Sequence, residues 1–303
     1  YDRYGGNCHM VPNHALILLG LLYGDDDFQK TLMITNTAGW DTDCNSGNVG
    51  CLMGIKNGLR GIDAGPDWRG PVADRLYLPT AEGGSCITDA VQVAFQVANI
   101  GRALAGLPPV HPKHGARFHF ELPGSVQGFR VEPLVEGRGP AQIENVLGHS
   151  QRGRHTLAIR FVHTAPGQPA RVATPTFLPP EALQMRGYSL FACPTLYPGQ
   201  VVSAGVMADA SNAQPAVCRL YLRHHAAEGG LTRLYGPETT LIAGEQHTFT
   251  WQIPETGGWP IAEVGLEIQS SQGAPGTVYL DYLDWKGAPR ALFTRPEGSN
   301  NAW

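Results

Sequence analysis

Residues 13–58 read NHALILLGLLYGDDDFQKTLMITNTAGWDTDCNSGNVGCLMGIKNG, and their periodicity decides the fold of the first third of the chain. The apolar run at 14–22, following Pro12 and Asn13, predicts a short helix. Asp27 stands where a helix N-cap accepts backbone N–H bonds, which predicts a second helix from Phe28 through Leu32 and Met33 to Thr37, ended by Gly39. A third helix is predicted over 41–57, where Gly47, Gly50, Gly54 and Gly58 recur every three or four residues and leave one face nearly bare. Each Gly costs about 1 kcal/mol relative to Ala inside a helix, so this spacing predicts a buried helix closely approached by a neighbour.

Outward from this stretch, residues 59–85 are rich in Gly, Pro and Asp and read as a long loop. Ser85 is the expected cap of a fourth helix through Ile87, Val91, Phe95 and Ala98 to Leu104. A Pro-rich join at 107–112 follows, and beyond it the period shortens toward two. Strands are predicted at 117–121, 126–132, 142–147, 156–162, 188–192, 201–208, 216–223, 231–242, 247–253, 264–269 and 277–285, separated by Gly and Pro turns. The expected architecture is a multidomain α and β chain. A helical part spans 1–108, a linker 109–116, an antiparallel jelly-roll-type β-sandwich 117–290, and a tail at 291–303 leads toward a further segment.

Bulk properties narrow the function. With 303 residues, 42% hydrophobic, the chain can bury two cores. A formal charge of -4 with 16% charged residues leaves no basic face for a nucleic-acid backbone. No apolar run approaches the roughly 18 residues of a membrane span. The six cysteines form no Cys-x-x-Cys pair, which favours a reducing compartment and hence the cytoplasm. The chain starts at Tyr1 without a signal-peptide pattern, and both ends read as cuts in a longer protein.

Asp41 and Asp43, in GWDTDCN, carry the chemistry. Two residues apart on an ideal helix, their side chains point about 200 degrees apart, so they share no helical face. At the junction of loop and helix, an irregular backbone can aim both at one point, with Thr42 and Asn45 nearby as oxygen donors for a hard cation. An Asp-x-Asp at a helix start serves equally as a capping arrangement. Spacing alone leaves both readings open. Asp25, Asp26 and Asp27 read as a solvated turn with a helix cap.

The quoted segment resembles the C-terminal part of the ADP-ribosylglycohydrolase family: an apolar helix, a short acidic turn, a second helix, then a Gly-x-Asp-x-Asp-Thr-type motif opening a glycine-rich helix. The match covers about residues 1–106. The resemblance implies a helical fold in which Asp41 and Asp43 bind a pair of Mg2+ ions. It also implies a glycosidase that hydrolyses an ADP-ribosyl or related ribosyl N- or O-glycosidic bond. Cys44 stands where the family usually has Thr, a third metal ligand, and soft sulfur is a poor donor to Mg2+. The family's N-terminal half, with its Thr-Asp-Asp cluster, has no counterpart in the sequence. The chain is therefore expected to hold a partial site, to bind metal weakly and to turn over little by itself. Asn13, His9 and Asn45 are the candidate substrate contacts, with helix capping as the alternative for Asn13; no catalytic residue is assigned.

The sandwich supports an alternative: a glycan-binding or scaffold protein whose helical part is no longer catalytic. Carbohydrate is then the expected partner, with Trp251, Trp259, Tyr279, Tyr282 and Trp285 as candidate contacts, although Trp251 and part of YLDYLDW are expected to fill the core. Asp281 and Asp284 are weak candidates for a Ca2+ site.

Overall fold

The structure, a computed structural model, describes residues 2–78, 85–133, 140–162, 164, 168–182, 192–227, 229–270 and 272–291. The chain divides into two compact units, Tyr1–Pro71 and Val72–Trp303.

The first unit is helical. Helix α1 (Met10–Tyr23) is followed by α2 (Phe28–Asn36) and α3 (Thr42–Ile62), and the three contact one another. Asp27 caps α2 by accepting from the Lys30 amide at 2.6 Å, while Asp25 and Asp26 form the turn before it and pair with Lys30 and Lys56. The acidic turn is thus the solvated cap that its composition predicts. A small core of Phe28, Val49 and Met53 joins Ile17, Leu21, Leu32 and Ile62.

The glycine stripe does not do what its spacing predicts. A Cβ at Gly47 or Gly58 would meet nothing within 4 Å, and one at Gly50 would make only ordinary contact with Leu32. Helix α3 buries only Asn45, Val49 and Met53, and Ile55 is 79% exposed. Gly58, at φ 64°, interrupts the helix instead. The close approach belongs to α1 and α2. A Cβ at Gly20 would lie 2.3 Å from Thr35 Oγ1, and one at Gly24 would lie 1.9 Å from Thr31 Oγ1. Both threonines are fully buried and return their hydroxyls to the α2 backbone, at Thr31 O (3.0 Å) and Asp27 O (2.6 Å). Gly20→Ala is therefore expected to destabilise the helical unit by about 1–3 kcal/mol despite its better helix propensity. Chemical denaturation followed by helix circular dichroism checks this, with Gly47→Ala, in open space, as the neutral or stabilising control.

In the second unit, a hairpin of β1 (Arg75–Tyr77) and β2 (Ile87–Asp89) leads into α4 (Ala90–Leu104). The cap of α4 is Asp89, not Ser85. Its carboxylate accepts from the Val91 and Gln92 amides at 2.9 and 3.0 Å, and Ile87 is occupied by pairing with Tyr77. Burial raises the Asp89 pKa above the ordinary carboxylate value, opposed by these hydrogen bonds.

The remaining strands form the antiparallel β-sandwich. They are β3 (Arg130–Val131), β4 (Ala141–Leu147), β5 (His155–Phe161), β6 (Ala170–Pro175), β7 (Val201–Ala208), β8 (Ala216–His225), β9 (Leu231–Leu241), β10 (Gln246–Gln252), β11 (Ile261–Ser270) and β12 (Gly276–Lys286). One sheet has the order β10-β7-β12-β5-β4 and the other β3-β6-β11-β8-β9. Leu157 and Ile159, Val202 and Ala204, Leu220 and Leu222, Val264 and Leu266, and Val278 and Leu280 interleave in the core between them. A bulge in β12 between Leu280 and Tyr282 lets Leu283 and Trp285 rejoin Val278 and Leu280 inside, which strict alternation would forbid.

Two predicted strands change. Residues 117–121 make only an isolated bridge, Phe118 to Leu283, because the amides of His119 and Phe120 donate instead to Gln127 Oε1 at 2.8 and 2.7 Å. Within 126–132, only Arg130 and Val131 pair. Strands β1, inside the stretch 59–85 expected to be loop, β2, where the fourth helix is expected to start, and β6 are additions, and the strand predicted at 188–192 falls almost wholly outside the described residues.

Candidate metal centre

Among the described residues, three helices begin at an aspartate, and they use it differently. Asp27 and Asp89 spend their carboxylates on backbone N–H groups of their own helices. Asp41 occupies the N-cap position of α3 in the left-handed region, at φ 36° and ψ 52°, and its side chain makes no capping bond. Left-handed backbone costs a non-glycine residue roughly 1 kcal/mol, least for Asp and Asn. The carboxylate is left to other partners, with Asp43 close by in the first helical turn. Ligand atoms of Asp41, Asp43 and Cys44 all lie within 4.8 Å of one another, the one such cluster of potential metal donors among the described residues.

A buried amide network fixes this corner. Asn13 Nδ2 donates to Asn7 O at 2.9 Å and reaches Asp41 Oδ2 at 3.5 Å. Asn45 Nδ2 donates to Asn13 Oδ1 at 3.1 Å and to Trp40 O at 2.9 Å. Asn13 and Asn45, read in the sequence as substrate contacts, are 8% and 2% exposed and tie α1 to the start of α3. His9 caps α1, its Nδ1 accepting from the Val11 amide at 3.3 Å, with its ring 4.9 Å from that of Tyr4.

The electrostatics follow from the crowding of acids. Hydrogen bonding to Asp41 and the charges of Asp41 and Asp43 raise the pKa of the exposed Cys44 thiol and keep it protonated. As a donor set, the two carboxylates suit a hard cation; the protonated thiol does not. Two carboxylates leave most of an octahedral shell to water and other donors.

The sandwich offers a different feature. On the outer face of the β3-β6-β11-β8-β9 sheet, a cavity of ≈ 430 Å³ is lined by Arg75, Tyr77, Phe177, Tyr221, Arg223 and Glu263, among others. Arg223 is held by a two-point pair with Glu263 (2.6 and 2.8 Å), and Glu132 accepts from Arg233 at 2.5 Å. The register places Arg223 opposite Glu263 and Arg219 opposite Glu267, so a ladder of paired charges covers this face. Sequence reasoning missed it. The signal was the alternation Arg219, Tyr221, Arg223 against Glu263, Gly265, Glu267, on strands that are neighbours in space but not in sequence. The aromatic residues singled out in the sequence lie elsewhere: Trp251, Tyr279, Tyr282 and Trp285 are all buried. Trp259 lines a separate cavity of ≈ 30 Å³ with Leu196 and Tyr197. Asp281 and Asp284 do not converge on a common metal position: Asp281 bonds Lys113, and Asp284 lies 3.4 Å from Lys286.

The molecule is thus a helical unit with an exposed acidic corner and a β-sandwich with a charged, aromatic-lined face. Residues 1–99 match the family model described as ADP-ribosylglycohydrolase, which runs across the division between the units into α4. No curated protein matches the chain. Among solved structures, one of carbohydrate-binding modules of the β-sandwich superfamily is similar at 16% identity, covering 60% of this chain and 65% of that one, with a TM-score of 0.41. The CBM22-1 xylan-binding domain of Paenibacillus barcinonensis Xyn10C is similar at 13% identity over 57% of this chain and 94% of that one, with a TM-score of 0.42. Among the described residues, no helix is long and apolar enough to cross a membrane.

Proposed function

We propose that Asp41 and Asp43 belong to a Mg2+ site, of two ions when complete, in a cytoplasmic hydrolase that cleaves an ADP-ribosyl or related ribosyl N- or O-glycosidic bond. The observation that carries this reading is the Asp41 carboxylate, which sits at a helix start without capping it and faces a second carboxylate. The family match over residues 1–99 supports it. When bound, Mg2+ supplies a Lewis acid for the ribose oxygens and a water of lowered pKa. The chain's own part is to hold the donors in place. The Asn13 amide orients the Asp41 carboxylate, Asn45 locks Asn13 to the α3 start, and Cys44 remains a thiol hydrogen-bonded to Asp41. Release of ADP-ribose from an ADP-ribosylated protein, assayed with Mg2+ and with EDTA, tests this. In protein carrying the complete set of metal donors, hydrolysis that needs Mg2+ is expected; hydrolysis indifferent to EDTA would contradict it.

A second reading, favoured by the cavity on the sandwich, makes this face a glycan-binding surface. Paired Arg and Glu side chains present fixed donors and acceptors with little net charge, and the half-buried Tyr77 adds aromatic surface, a combination suited to neutral sugar hydroxyls. Retardation of the full chain in gels containing soluble polysaccharides is the expected result, with at least about tenfold weaker binding for Tyr77→Ala. Equal mobility with and without every polysaccharide would rule it out.

A further inference from the structure

The outer side of β12 carries a buried charge cluster that neither proposed site uses. The side chain of Lys113 has no exposed surface. Its Nζ donates to the carbonyl oxygens of His155 at 2.5 Å and Asp281 at 2.6 Å and to Asp281 Oδ1 at 2.7 Å, and Glu121 Oε1 lies 3.4 Å away. Four oxygens from three separate segments therefore close on one nitrogen. The cage is itself braced, since Asp281 also accepts from Ser150 Oγ at 2.5 Å and from the Gln151 amide at 3.1 Å. The lysine enters from the turn Pro112–Gly115, where Lys113 and His114 both take left-handed backbone, at φ 47° and 63°. Lysine is uncommon in that conformation, and at Lys113 it accompanies a side chain that enters the cage.

The donor set is that of a divalent cation rather than of a lysine. Two carboxylates face a single positive charge, leaving one negative charge over, whereas a divalent ion would balance them. Carboxylate and carbonyl oxygens together are what Ca2+ takes, at about 2.3–2.6 Å and with water completing the shell; Mg2+ requires about 2.0–2.1 Å and a stricter octahedron. The Nζ···O separations of 2.5 to 2.7 Å are those of charge-assisted hydrogen bonds, so the choice of ion rests on the mixed carboxylate and carbonyl donor set, which suits the larger and less exacting Ca2+.

We propose that this cage is a Ca2+-type cation site which the chain fills with its own Lys113 ammonium, so that the sandwich is held together without a dissolved cation. In the full 303-residue chain, the melting transition of the sandwich is then unchanged by EDTA or by millimolar Ca2+. Lys113→Ala empties the cage and lowers the transition by on the order of 10 °C. Ca2+ restores most of that loss in a saturable way, and Mg2+ at the same concentration restores little. Lys113→Met, whose side chain still occupies the space, is lowered and not restored. Adding Asp281→Asn to Lys113→Ala removes the rescue. The proposal is overturned by a Lys113→Ala protein that shows no Ca2+ response or stays unfolded in Ca2+, by rescue that survives Asp281→Asn, or by a wild-type transition that shifts with EDTA.

Discussion

Asp41→Asn is expected to abolish Mg2+-dependent hydrolysis in protein carrying the complete set of metal donors, a loss of at least about 100-fold, while the helical unit stays folded. Asparagine keeps the size of the side chain and tolerates left-handed backbone as well as aspartate does, so the turn at φ 36° survives. What it removes is the charge, and that charge caps no helix. The contrast with Asp27 makes the expectation specific. Asp27 accepts from the Lys30 amide, so Asp27→Ala should cost about 1 kcal/mol of stability and leave hydrolysis intact. Were the two residues to behave alike, losing stability together and activity not at all, Asp41 would be a cap like the others. Thermal melts and ADP-ribose release on both variants separate the outcomes.

A large stability effect away from the hydrophobic core is also expected at Glu267. Its side chain is 4% exposed and accepts from Arg171 Nε at 2.5 Å and from Arg219 Nε at 2.8 Å, with Arg219 Nη2 also within 2.6 Å. Removing it strands two guanidinium groups on the sheet face, and breaking a buried pair from one side costs about 3–5 kcal/mol. Arg171 and Arg219 retain longer contacts to Glu132 and Glu238, each at 3.6 Å, so Glu267→Ala should fall near the lower end, about 3 kcal/mol. Glu238 is half exposed, and Glu238→Ala should cost less than about 1 kcal/mol. Urea denaturation of both variants checks the difference. Equal small effects would mean that the charge ladder contributes nothing to stability.

Much of this fold is legible from local pattern. The helices at α1, α2 and α3 and most of the sandwich strands follow from apolar period and turn residues, because each depends on neighbours close in sequence. The failures share a different cause. The bare face of α3 predicts a partner that Gly47 and Gly58 do not meet, while the tight contact sits at Gly20 and Gly24, glycines that look unremarkable in an apolar helix. Ser85 and Asp89 are equally good caps on paper; the pairing of Ile87 with Tyr77 decides between them. Residues 117–121 alternate like a strand, yet Gln127 takes their amides.

The acidic corner was partly legible as well. Asp41, Asp43 and Cys44 stand together as their spacing at a helix start allows, but only the backbone turn and the missing cap bond at Asp41 distinguish its carboxylate from a capping one. The bond between Asn13 and Asn45, which the sequence offers as separate candidate substrate contacts, joins residues 32 positions apart and has no local signal. The charge ladder and the Lys113 cage were invisible, since both join residues through strand pairing or loop contacts far apart in sequence.

The most direct test of the metal reading is a Mn2+ titration of the 303-residue chain followed by electron paramagnetic resonance, with Mn2+ standing in for Mg2+. Weak, Mg2+-competable binding that disappears in both Asp41→Asn and Asp43→Asn is the expected result. Binding unchanged by either substitution, or no binding at millimolar Mn2+, would contradict it.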